Sequence, residues 1–176
     1  DTARSRGLGD VYKRQLDKLS FIENQYVVVG HESDMVINSL PSSTKHILQK
    51  DQLGTGHAVA TVVSDDLFVK NKSEFTVVVP GDVPAIDSKD IKLLISEVET
   101  KSSPVGFLTA IVDNPYGYGR VIRNNEETRI VEEKDCIDGE REINEINSGV
   151  YCFKTDFLID NIDSLDTKNA QGEFYL

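Results

Sequence analysis

Apolar residues fall along this chain in short β-branched runs, separated by polar turns that carry glycine. Tyr26–Gly30 reads YVVVG and predicts a buried strand closed by glycine. Ser33 then opens a short helix through Asp34, Met35, Val36, Ile37 and Asn38. Lys45–Gln49 is a second apolar run, and Gly56–Ser64 predicts a helix after a Gly-rich turn. Glu74–Pro80 contains FTVVV, the strongest strand signal. It stops at Pro80-Gly81-Asp82, where the missing proline N–H suits a strand end.

Asp87–Thr100 is the clearest helix. Asp87 can accept from the free N–H groups of the first turn, and Asp90 sits at the positive end of the macrodipole. Ile91, Leu94, Ile95 and Val98 fall at i, i+3, i+4 and i+7, one apolar stripe. Val105–Val112 predicts a strand, and Arg120–Arg123, Ile130–Glu133 and Val150–Phe153 are shorter β-rich runs. Thr155 is placed to cap a last helix carrying Phe157, Leu158 and Ile162.

Strand and helix alternate up to Val105, which predicts right-handed βαβ units and a parallel sheet. Strands dominate afterwards, so the sheet is expected to be mixed. The first fifteen residues, DTARSRGLGDVYKRQ, hold Arg4, Arg6, Lys13 and Arg14 and show neither period. Residues 1–15 are expected to be irregular, a leader that need not be native to the rest of the chain. Residues 16–176 are expected to form one unit.

Charge narrows the function classes. The 176 residues hold 19 Lys plus Arg against 30 Asp plus Glu, a net charge of −11. A general nucleic-acid binder would need positive charge to displace counterions. No apolar run is long enough to span a membrane, and no apolar stretch follows the N-terminal cations as in a signal peptide. Cys136 and Cys152 are the only cysteines. Two such residues make neither a disulfide scaffold nor a zinc site, and free thiols fit a cytoplasmic protein.

Five segments could carry chemistry, and the first four have a plainer reading. QLGTGHA (Gln52–Ala58) is a Gly-x-Gly turn that lets backbone N–H groups approach a ligand, or a packing turn with His57 at the helix start. In PGDVP (Pro80–Pro84), Asp82 follows the most apolar strand by two residues. A carboxylate there can hold Mg²⁺ beside phosphates, or the segment is only a turn. NPYGYGR (Asn114–Arg120) is a tight loop against a sugar or base, or a hairpin. In VEEKD (Val131–Asp135), Glu132 and Glu133 are expected on opposite faces of a strand. One of them can accept from sugar hydroxyls, or the run is a solvated strand end. In EINSG (Glu145–Gly149), Asn147 leads into a strand.

Taken in order, QLGTGHA, GDVPAI, NPYGYGRVIR, IVEEKD, EINSGVY and NAQGEFYL resemble one family over roughly Tyr26 to Leu176. It is the uridylyltransferase domain of the bacterial bifunctional N-acetylglucosamine-1-phosphate uridylyltransferase/glucosamine-1-phosphate acetyltransferases. The resemblance implies an α/β, Rossmann-like nucleotide-diphospho-sugar transferase fold with a mixed, mostly parallel sheet, incomplete at both ends. It implies transfer of UMP from UTP to N-acetylglucosamine 1-phosphate, giving UDP-N-acetylglucosamine and pyrophosphate with Mg²⁺ as cofactor. By resemblance, Gln49 and Gly54 contact uracil and Thr55 lies beside the nucleotide sugar. Gly81 and Asp82 lie at the ribose and phosphates, with Asp82 the catalytic carboxylate and Mg²⁺ ligand. Gly119, Glu132 and Asn147 hold the N-acetylglucosamine.

The family's opening Gly-rich, Arg-containing phosphate loop does not appear in this sequence, nor does its β-helical acetyltransferase half, through which relatives trimerise. The resemblance therefore implies an internal piece of the domain with little turnover of its own. Transfer to another sugar 1-phosphate, or a non-catalytic nucleotide-sugar-binding module, are the alternatives.

Overall fold

The computed structural model of the chain describes residues 13–30, 33–41, 44–83, 86–124 and 127–176. Its main sheet is built on one long strand, β7 (Glu145–Lys154). On one side β7 pairs with β4 (Val105–Ile111), from Phe153↔Val105 to Glu145↔Ile111. On the other side it pairs first with β3 (Phe75–Val78), through Tyr151–Lys154, and then with β5 (Arg120–Arg123), at Ile146↔Arg120. β6 (Thr128–Val131) completes the sheet along β5. A second, two-stranded sheet pairs β1 (Tyr26–Val29) with β2 (Lys45–Leu48) in parallel. No described helix is long and apolar enough to cross a membrane.

Successive β7 side chains point to opposite faces, and both faces are covered. Val150 and Cys152 join Leu19, Ile86, Ile91, Leu94 and Val98 in one core cluster. Three of those residues come from α4 (Ser88–Thr100), whose stripe is the expected one. Tyr151 and Phe153 join Val59, Val63, Phe68, Leu158 and Ile162 in the other. That face is supplied by α2 (Thr55–Val63), α3 (Asp66–Lys70) and α5 (Thr155–Asn161). The edge-on contact of Tyr26 with Phe68, at 5.7 Å, ties the small sheet to the second cluster. The remaining helix, α1 (Ser33–Ser39), follows β1.

The mixed α/β expectation holds, but the balance of the ladders differs from it. One described strand pair is parallel and four are antiparallel. The reason is β7: β3, β4 and β5 all run against it, so β3 and β4 are parallel only as its two flanks. Asp87 caps α4 as expected, accepting from Lys89 N at 2.9 Å. Thr155 does not cap α5. It lies inside the helix, 1% exposed, and its hydroxyl meets that of Thr76 at 2.8 Å. Most of the irregular segment expected at 1–15 falls outside the described residues. Residues 13–15, however, are helical, and Gln15 is buried.

Ile91 is fully buried on the α4 stripe. Ile91→Ala is expected to cost about 2–5 kcal/mol in urea unfolding, through lost burial and a residual cavity. Leu93→Ala, on the exposed face of the same helix, is expected to stay within about 0.5 kcal/mol. Similar losses at the two positions would refute the assignment of faces.

Candidate functional site

The site forms where β7 changes partners. β3 leaves β7 at Tyr151 and β5 meets it at Ile146. Over the same stretch, β7 has two more residues than β4 between the pairs Phe107↔Tyr151 and Thr109↔Asn147, a bulge. Bulges of this kind re-aim side chains and end pairing. Here the bulge is stitched locally. Ser148 Oγ donates to Leu108 O at 2.7 Å and accepts from Val150 N at 3.2 Å. Gly149 has φ +74°, and its N–H donates to Asn147 Oδ1 at 3.0 Å.

Two loops fill the gap. The loop after β3 docks its Pro80 ring against Gly149, where a Cβ would lie 2.7 Å from Pro80 Cγ. Gln15 Nε2 holds that loop by donating to Pro80 O at 2.9 Å and Val83 O at 2.7 Å. Gly81 and Asp82 form its turn, and Asp82 is exposed. β3 ends at Val78, so Asp82 lies four residues beyond the strand rather than the expected two. From the other side, Gly119 O accepts from Asn147 N at 2.8 Å.

The Gly119 loop is fixed by a buried arginine. Arg120 is 1% exposed, and its Nη2 pairs with Glu133 Oε2 at 2.7 Å. The guanidinium also donates to Tyr118 O and, at 3.4 Å, to Arg141 O. Glu133 Oε2 accepts from Gly117 N at 3.0 Å. The hydrogen bond from Arg120, with that from Gly117, holds the Glu133 carboxyl below the usual range. The strand expected through Glu133 ends at Val131, so Glu132 and Glu133 lie in a turn rather than on opposite faces of a strand. Glu132 faces Gly119, where a Cβ would lie 2.8 Å from its Oε1. Burial pushes the Glu132 carboxyl up, Asp135 adds to the effect, and Arg120 opposes it.

A second group of residues gathers at the N-terminus of α2. Gln49 Nε2 donates to Gly54 O at 3.2 Å and meets His57 Nδ1 at 2.9 Å. The Gly54 carbonyl can only accept, so the Gln49 amide nitrogen faces it. His57 Nδ1 must then accept from that nitrogen. The Gly-x-Gly turn serves packing here. Cβ atoms on Gly54 and Gly56 would lie 2.6 and 3.0 Å from Phe174 O, and Gly56 N donates to that same oxygen at 2.8 Å. This N–H is therefore not open to a ligand.

The segment 169–176 links the two groups. Ala170 N donates to Asp135 Oδ1 at 2.8 Å, and Lys134 Nζ donates to Gln171 Oε1. At the other end, Leu176 N donates to Thr55 Oγ1 at 3.3 Å. Between them, Asn147 Nδ2 donates to Tyr151 Oη at 2.6 Å, and Tyr151 Oη reaches Leu176 O at 3.3 Å.

Of the candidate residues, Gly119, Glu132 and Asn147 thus meet directly. Gln49 and Gly54 meet each other, and Thr55 is tied to Asn147 through Leu176 and Tyr151. Gly81 and Asp82 adjoin them through Pro80. Arg120, Ser148 and Tyr151 were not singled out as candidates, and Glu133 was offered only as the alternative to Glu132. The signal for Arg120 and Glu133 was a pair of opposite charges inside β-rich runs. Ser148 and Tyr151 gave no local sign.

Fold and candidate site define an α/β domain whose loops gather where the central strand changes partners. The chain belongs to the nucleotidyl transferase family, whose model matches residues 8–174. It is 47% identical over 150 residues to the bifunctional protein GlmU of Fervidobacterium nodosum, covering 85% of this chain and 32% of that protein. It is 43% identical over 157 residues to the GlmU of Lactococcus lactis subsp. lactis, covering 88% and 34%. The chain thus spans about a third of the length of these curated relatives. Among solved structures, a UDP-glucose pyrophosphorylase complexed with UDP-glucose shares the fold at TM-score 0.61 and 13% identity, covering 94% of this chain and 71% of that one. A CMP:2-keto-3-deoxy-manno-octonic acid synthetase complexed with CTP does so at 0.59 and 16%, covering 88% and 65%.

A carboxyl raised on folding favours the native state only while protonated. Its penalty appears as pH rises from the unfolded pKa through the folded one. Glu132→Gln is therefore expected to raise the unfolding free energy at pH 7, with the gain vanishing near pH ~4. Urea melts at both pH values check this, and an equal difference at both would refute it.

Proposed function

We propose that this chain carries the nucleotide-sugar site of a uridylyltransferase that joins UTP and N-acetylglucosamine 1-phosphate into UDP-N-acetylglucosamine, releasing pyrophosphate. The observation that carries the reading is the set of hydrogen bonds that runs from Thr55, beside Gln49 and Gly54, through Leu176 and Tyr151 to Asn147 and Gly119, with Glu132 packed against Gly119. A nucleotide sugar has a flat base at one end and a hydroxyl-rich ring at the other, and the two groups of residues divide in that way. The identity to GlmU proteins supports this substrate pair.

In this reading, Gln49 spends its amide nitrogen on Gly54 and His57, which leaves Oε1 to accept from a pyrimidine N–H. Glu132, set against Gly119, accepts from a sugar hydroxyl. Asn147 retains one N–H and one lone pair for the sugar substituent. In the reaction a phosphate oxygen of the sugar 1-phosphate attacks the α-phosphorus of UTP. That P–O bond forms as the bond to pyrophosphate breaks, with no covalent enzyme intermediate. Positioning and charge neutralisation then account for the rate.

No cluster of three or more His, Cys, Asp or Glu suited to a metal occurs among the described residues. A fully protein-built cage therefore does not fit. A single exposed carboxylate beside a phosphate does fit Mg²⁺, which usually takes one or two carboxylates plus phosphate oxygens. Asp82 would hold it, and the ion would offset charge on the triphosphate. Free thiols and an acidic surface suit a cytoplasmic setting.

Titration calorimetry with UDP-N-acetylglucosamine tests the site. The chain is expected to bind, and Asn147→Ala to weaken binding about tenfold. In the longer protein that contains this chain, Asp82→Asn is expected to slow pyrophosphate release about 10²-fold. A folded wild type that ignores this ligand, or prefers a different sugar nucleotide, would overturn the assignment.

A further inference from the structure

The hydrogen bonds around Asn147 have a fixed direction. Gly149 N–H can only donate, so it must meet Asn147 Oδ1, at 3.0 Å. The amide nitrogen then faces Tyr151 Oη, at 2.6 Å, and must donate to it. The hydroxyl proton of Tyr151 is left for the Leu176 oxygen, at 3.3 Å, which can only accept. A backbone donor at one end and a backbone acceptor at the other thus set every proton between them. Burial, the largest influence, pushes the Tyr151 hydroxyl pKa up, so it stays protonated near neutrality. The ring is clamped as well, stacked on Phe153 at 5.7 Å and tilted on Phe107 at 6.0 Å.

We propose that Tyr151 is a positioning residue that holds the Asn147 amide at a fixed angle, and thereby sets the preference of the site for an N-acylated sugar nucleotide over its hydroxyl analogue. The inference rests on the functional reading above. An acetamido group presents a carbonyl acceptor and an N–H donor in one plane, and neither can turn to suit its partner. A hydroxyl is both donor and acceptor and rotates freely. Asn147 has one N–H and one Oδ1 lone pair left over, so it can meet one end of an amide, whose hydrogen-bond direction is fixed. Freeing its second anchor would therefore hurt an acetamido ligand more than a hydroxyl ligand. Gly149 alone would leave the amide nitrogen free to swing about the Oδ1 contact.

Tyr151→Phe removes one oxygen and keeps the stacked ring, so the fold is expected to survive. Calorimetry with UDP-N-acetylglucosamine and UDP-glucose is run on wild type, Tyr151→Phe, Asn147→Ala and the double variant. Tyr151→Phe is expected to weaken the acetamido ligand about tenfold and the hydroxyl ligand less than about threefold. In the Asn147→Ala background it is expected to add nothing. Equal losses on both ligands, or additive losses in the double variant, would overturn the proposal, because a purely structural tyrosine would act on both alike.

A ligand-free measurement keeps the two readings apart. The Asn147 side-chain NH₂ protons are expected to exchange slowly with solvent by NMR in wild type and rapidly in Tyr151→Phe. If wild type binds neither nucleotide sugar, the functional reading fails and with it the specificity claim. The exchange rates then still decide the positioning role, and equal rates in the two proteins would end that too.

Discussion

The change of partners along β7 is the constraint on which the rest of the molecule depends. A strand with both faces buried must satisfy its backbone on both edges. From Tyr151 onward β3 and β4 do this, and at Ile146 β5 and β4 do it. Between these points neither β3 nor β5 is alongside. The deficit is met by the strand's own short polar side chains and by the Gly119 carbonyl. Serine and asparagine are able to do this because their side chains imitate backbone groups. Gly149 is needed for its positive φ, and also because the Pro80 ring occupies the place of a Cβ. A polar opening is thereby kept within a sheet whose next residues, Val150 and Cys152, are almost fully buried.

The electrostatics follow from the same opening. In a chain of net charge −11, the loop that reaches Asn147 is held by a buried cation. Burying an Arg–Glu pair contributes little to stability against an apolar equivalent, since desolvation opposes the attraction. What Arg120 does is geometric: it gathers Tyr118, Glu133 and Arg141, while Gly117 leans on the same Glu133 carboxylate. The two adjacent glutamates then meet opposite fates. Glu133 takes the guanidinium and is held ionised, whereas Glu132 is left against Gly119 with its charge poorly solvated.

Periodicity served well where burial follows one element's own geometry. The α4 stripe, the Asp87 cap and the β-branched cores of β1 and β3 all belong to that kind. It failed where burial is decided by a distant segment. β7 looked short because Glu145–Gly149 is polar, yet that stretch is strand bulged around a site. Thr155 resembled a cap, but Thr76 of the neighbouring strand claims its hydroxyl. Gly54 and Gly56 resembled a ligand cradle, and Phe174, more than a hundred residues away in sequence, occupies it. Segment motifs could select Gly119, Glu132 and Asn147, but not Arg120 or Tyr151, whose roles exist only through contacts between segments.

The segment 169–176 adds a geometric consequence. It is bonded to Asp135 beside Glu132, and it continues without a break to Thr55 at the head of α2. Its internal turn is closed by Asn169, whose Oδ1 accepts from Gln171 N and Glu173 N while its Nδ2 donates to Glu173 O. The separation of the two halves of the site is therefore set by a compact strap rather than by the sheet alone. The sheet can fix Asn147 relative to Gly119, because β7 and β5 share a ladder. It packs against α2 through Val59 and Val63 but has no hydrogen-bonded hold on it, since the preceding strand, β2, belongs to the other sheet. The hydrogen bonds from this strap to Thr55, Gly56 and Leu53 supply that hold. A ligand that reached from Gln49 to Glu132, as proposed, would therefore have to match a span set by residues 169–176, although none of the proposed sugar or base contacts lies within them.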